Sequence, residues 1–143
     1  MEFITFLLAP IGYAGLTFTA VMAARGRLPR RFWRAVVLVI VTHVTLVWTV
    51  RYEWQLSEAT RNGYVGFLVF HGALAAILSS LISGDRVARV LIIGAFAVVT
   101  VGAIAATFRY DVVGMYRIPV LVCAIAGAAG LTGAYRSRAA LAA

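Results

Sequence analysis

Apolar residues fall into five long runs, at 3–24, 32–50, 64–83, 87–108 and 118–135, each separated from the next by a short polar break. A bilayer-spanning helix takes about 20 such residues, so each run is long enough to cross. The breaks are physically sensible. "RGRLPRR" combines charge with Pro29, "SEATRNG" ends in Asn-Gly, "SGDR" is a tight turn, and "RYDVVGMYR" is charged at both ends. The pattern predicts an all-α integral membrane bundle of five transmembrane helices forming one domain, residues 1–143. The last break is the softest, because Val112 and Val113 are apolar and the fifth run is rich in glycine. Four spans plus a re-entrant end is the alternative.

Composition supports the membrane assignment. The chain is 63% apolar, against about 45–50% for a soluble domain, and no room remains for a second, soluble unit. The first run is expected to be a retained helix and not a signal peptide, since Glu2 precedes it and the arginines follow it.

Charge then sets an orientation. The net charge of +8 comes entirely from arginine, with no lysine in the chain. In a soluble protein that excess would suggest nucleic acid. Here the arginines lie in short loops, where anionic lipid headgroups are the expected partner and nucleic acid is not. Arg25, Arg27, Arg30, Arg31, Arg34, Arg86, Arg89, Arg136 and Arg138 must share one side, with Asp85 as its one acid. The other side has Arg51, Arg61, Arg109 and Arg117 alongside Glu2, Glu53, Glu58 and Asp111. The positive-inside rule puts the first group in the cytoplasm, with the N-terminus outside and the C-terminus inside. The expected location is the bacterial inner membrane, multi-pass. Phe32 and Trp33 at one boundary, and Tyr52, Trp54, Tyr64, Tyr110 and Tyr116 at the other, suit the headgroup level.

Signatures of self-contained catalysis are missing. There is no phosphate-binding glycine loop, no GxSxG, no HExxH and no carboxylate inside a span. A stand-alone hydrolase or transferase is not expected; the chain is at most a redox subunit. Cys123 has no partner for a disulfide and reads as a small packing residue. Gly12 and Gly15 in the first run, and Cys123, Ala126, Gly127, Gly130 and Ala134 in the fifth, form small faces that let helices approach closely. They fit contacts within the bundle, with another chain or in a homo-oligomer.

The chemical clue lies in "VVLVIVTHVTLVW" and "GFLVFHGALAAIL", which hold the chain's two histidines. His43 precedes Arg51 by eight residues and His71 follows Arg61 by ten, roughly 12 and 15 Å below one boundary at the helical rise. An imidazole at that depth needs a hydrogen-bond partner or a metal. Three readings compete. In the first, His43 and His71 are the metal ligands of one b-type haem, with Arg51, Arg61, Arg109 and Arg117 as propionate or quinone-headgroup contacts and Gly72 leaving room for the ring. Such ligation holds the two Cα atoms roughly 12–15 Å apart, beyond the spacing of packed helices, so the spans must splay. In the second, each histidine is interhelical glue bonded to a carbonyl or to Thr42, Thr45 or Thr49. In the third, they hold copper with Cys123 as a further ligand, or relay protons.

A small multi-span chain with histidines in adjacent helices resembles, in layout, the membrane cytochrome b subunits that exchange electrons with quinone. The likeness extends to no specific motif and carries over no residue roles. The leading expectation is therefore an electron-transfer subunit with one bis-histidine haem b, exchanging electrons with quinol, and with Glu53 and Glu58 available for proton release. Its rival is a cofactor-free accessory or assembly subunit of a larger membrane complex.

Overall fold

The computed structural model describes residues 2–61 and 63–142. Its long helices are α1 (Glu2–Ala24), α2 (Arg30–Val50), α4 (Tyr64–Ile82), α5 (Asp85–Arg109) and α6 (Arg117–Ala142). A short helix, α3 (Leu56–Thr60), lies between α2 and α4, and a 3-10 stretch, Asp111–Tyr116, precedes α6. No strand occurs among the described residues. All five long helices are long and apolar enough to cross a bilayer, so the chain has the architecture of a multi-pass membrane protein.

Four of the five boundaries lie close to those the sequence predicts. The fifth run is longer, because alanine, arginine and leucine after Tyr135 are strong helix formers and nothing there stops the helix. Both short elements fall in segments read as loops. Asn62, in the expected Asn-Gly turn, lies outside the described residues.

Helix α1 packs against α2, α5 and α6, while α4 lies along α5. Glycine makes the closest approaches possible. A methyl group on Gly15 would come 2.6 Å from Val36, and one on Gly130 would come 2.5 Å from Val21; Gly127 meets Phe96 in the same way. The small faces of α1 and α6 are thus used inside the bundle.

Helices α2 and α4 touch little along their backbones, and the Trp33 side chain, fully buried, fills the gap. It belongs to one buried apolar cluster with Leu16, Ile77, Ile92 and Phe96. Tyr13 bonds Thr100 at 2.8 Å, tying α1 to α5.

At the arginine-rich end one side chain joins three helices. Arg30 at the start of α2 donates to the carbonyls of Ser80 (3.0 Å) and Ser83 (2.8 Å), which end α4. It also pairs with Asp85 at the start of α5, at 2.6 Å. The cation neutralises the negative end of α4 and holds the acid at the positive end of α5, as helix dipoles favour.

Candidate functional site

His71 sits midway along α4, in the half away from the arginine-rich end, where it faces Trp48 of α2. Its Nδ1 lies 2.8 Å from the Phe67 carbonyl, one turn back on the same helix. A carbonyl only accepts, so Nδ1 carries the proton and Nε2 keeps its lone pair. The Trp48 indole N–H, a donor only, donates to that lone pair at 3.2 Å. Phe67 stacks on the imidazole with ring centroids 4.0 Å apart. The ring is held on both nitrogens and one face.

Trp48 is itself held. Trp54 stacks on it at 5.7 Å, and Tyr52 and Phe67 meet it edge-on. Residues Glu53 and Trp54 adopt left-handed backbone, with φ of 48° and 60°. Such conformations cost of order 1–3 kcal/mol each and persist only where surroundings enforce them. The Trp54 ring contact and its N–H bond to the Trp48 carbonyl (3.1 Å) supply that enforcement.

The same construction recurs near the other end of α2. The Trp33 indole donates to the Ser80 hydroxyl at 2.8 Å, and that hydroxyl donates to the Ile77 carbonyl at 2.6 Å. Each relay therefore runs from an α2 indole, through one polar side chain of α4, to an α4 carbonyl a turn back. His71 and Ser80 occupy equivalent roles.

His43 faces elsewhere. Val36 and Ile40, which meet Gly15 and Gly12 of α1, are followed at helical spacing by His43, and all three lie on one stripe of α2. Its Nδ1–H accordingly donates to the Thr5 carbonyl of α1 at 2.8 Å. That bond falls beside Phe6, whose carbonyl loses its usual intrahelical donor to Pro10. Trp48 projects from α2 about 140° around the axis from His43, and about 7.5 Å along it.

Two histidines gripping one iron must bring both Nε2 atoms to a common point. The structure directs His43 to α1 and gives His71 Nε2 to Trp48, so it does not bring them together. Cys123 lies against Thr17 of α1, and no group of three His, Cys, Asp or Glu side chains fit for a metal occurs among the described residues.

The four candidate arginines have separate local neighbours. Arg51 follows the last residue of α2, its backbone N–H donating to the Val47 carbonyl. Arg61 pairs with Glu58 at 3.3 Å, and Arg109 lies 5.6 Å over the Tyr110 ring. Arg117 donates to the Thr107 carbonyl at 2.9 Å and covers Phe108. The sequence reading passed over Trp48 and Ser80 and set Trp33 at the headgroup level, whereas its indole is fully buried against Ser80. Their signal was available: two tryptophans bracket α2, each an obligatory donor in an apolar setting.

Comparison of the chain with protein-family profiles, curated proteins and solved structures returns no match.

Proposed function

We propose that this chain is a multi-pass membrane protein serving as a structural, non-catalytic subunit, with its two histidines acting as interhelical fasteners. The arginine-rich end lies on the cytoplasmic side of a bacterial inner membrane, as the excess of arginine over acid at that end favours. The observation that carries the reading is the parallel between the relays: Trp48–His71–Phe67 repeats with imidazole what Trp33–Ser80–Ile77 does with a hydroxyl. Serine at the matching point of the other relay offers hydrogen bonds alone, which supports reading the imidazole as a hydrogen-bonding group too. The face left for another membrane chain is on α4, where Val65, Leu68, Gly72, Ala75, Ser79 and Ile82 form one exposed stripe at heptad spacing.

A second reading keeps haem b. Both imidazoles hold Nδ1–H on a backbone carbonyl, leaving Nε2 as the lone-pair nitrogen, which is how metal-bound histidines are commonly oriented. It requires Trp48 to release His71 and His43 to leave the α1 face.

One measurement separates the two. Absorption spectra of the purified protein, air-oxidised and dithionite-reduced, should show no Soret band, and His71→Leu should lower the unfolding midpoint. A Soret band lost in both His43→Ala and His71→Ala overturns the structural reading.

A further inference from the structure

The arginine-rich end has a feature that neither relay uses. Helix α1 ends in a Schellman turn, with the Gly26 N–H bonded to the Ala23 carbonyl and the Arg27 N–H to the Met22 carbonyl, both at 3.0 Å. Gly26 takes φ of +80°, a conformation glycine adopts without strain. The turn carries Arg25 against the end of α6. There Arg25, Gly133, Ala134, Ser137 and Arg138 line an open cavity of about 390 Å3. Arg89 of α5 reaches the same turn and donates to the Gly26 carbonyl at 2.8 Å. A Cβ on Gly26 would lie 3.4 Å from a terminal nitrogen of Arg138 and 3.9 Å from Arg89.

Three guanidinium groups from three parts of the chain thus gather around one turn. The acid of this end, Asp85, is held by Arg30. Like charges in such proximity repel, an anion among them offsets that repulsion, and guanidinium is suited to a phosphate through paired N–H donors. The cavity wall at Gly133 and Ala134 is too small to fill the space, and a Cβ on Gly133 would meet nothing within 4 Å.

We propose that this cavity binds the phosphate of an anionic phospholipid headgroup, with Arg25 and Arg138 as its two arms and Arg89 fixing the turn between them. The proposal rests on the reading that this end lies at headgroup level. It is independent of whether the histidines are fasteners or ligands.

The test is thermal unfolding of the full-length protein in mild detergent, with phosphatidylglycerol, phosphatidylcholine or inorganic phosphate added. A ligand bound only by the folded state raises the midpoint. Phosphatidylglycerol should raise it, and Arg25→Gln with Arg138→Gln should remove at least half of that gain. Arg31→Gln with Arg34→Gln, an equal loss of charge away from the cavity, should keep it. If the first pair fails to fold, Gly133→Phe fills the cavity with the charges intact and should abolish the gain. Equal losses from both pairs, or an undiminished gain in Gly133→Phe, overturn the site. An equal rise with inorganic phosphate or with phosphatidylcholine overturns the assignment to an anionic lipid. Resistance of each variant to alkaline carbonate extraction reports separately whether the protein is embedded in the membrane.

Discussion

The two relays between α2 and α4 differ in ways that expose what each contributes. Trp33 is fully buried and its serine partner is buried too, with bonds of 2.8 and 2.6 Å. Trp48 and His71 are half-buried, their bond is longer at 3.2 Å, and aromatic stacking does part of the holding. The first relay is sealed by packing, and its hydroxyl can rotate to suit either neighbour. The second depends on one tautomer of one ring and on a loop kept in left-handed backbone. Rarity in the sequence drew attention to the histidine, yet serine performs the same task under better cover.

Removing the buried indole should do the most damage. Trp33→Ala should cost about 3–5 kcal/mol, the range for truncating a large buried aromatic, read as a lower midpoint in denaturant unfolding. At the other relay, Trp48→Phe should cost about 1–2 kcal/mol, since it keeps a ring but leaves the imidazole lone pair without its donor. His71→Leu should cost a similar amount, and the double variant should be no worse than either single one. Costs that simply add would show that no relay couples the residues. His71→Gln should recover most of the loss, because an amide both accepts from an indole and donates to a carbonyl. The smallest effect belongs to His43→Leu. It removes one donor to a carbonyl within α1 and should cost about 0.6 kcal/mol, the typical worth of a hydrogen bond between membrane helices. A loss from His43→Leu as large as that from Trp33→Ala would end the ranking.

Helix number and limits were legible because each run is uniformly apolar and each break holds charge, proline or glycine. Glu2–Ala24 and Tyr64–Ile82 differ by one residue at one end from the spans read directly. Position along each helix was also legible, since counting from Arg51 and Arg61 fixes a distance at a known rise per residue. Direction was not. Helix α2 is apolar on nearly every side beyond Arg34, so nothing in its pattern marks the stripe Val36–Ile40–His43 as the one facing α1. Neighbour choice was hidden for the same reason. The sequential spans α1–α2 and α4–α5 pair, but side chains alone bridge α2 to α4, and α1 packs on α6 from the far end of the chain. The small faces at Gly15 and Gly127 were visible as such, while their use within one chain depends on partners far away in sequence.

Arg30 has a consequence for the order of assembly. It is translated 55 positions ahead of Asp85, and its two carbonyl acceptors belong to Ser80 and Ser83. A nascent chain can therefore bring α1 and α2 together through Gly15 and Val36 at once, while both indoles and this guanidinium still wait for partners. Only when the hairpin of α4 and α5 has emerged can the second helix settle into its final rotation. Chains cut between positions 60 and 70 should hold a paired first hairpin with Trp33 and Trp48 both lacking their acceptors, and their fluorescence should differ from that of the finished bundle.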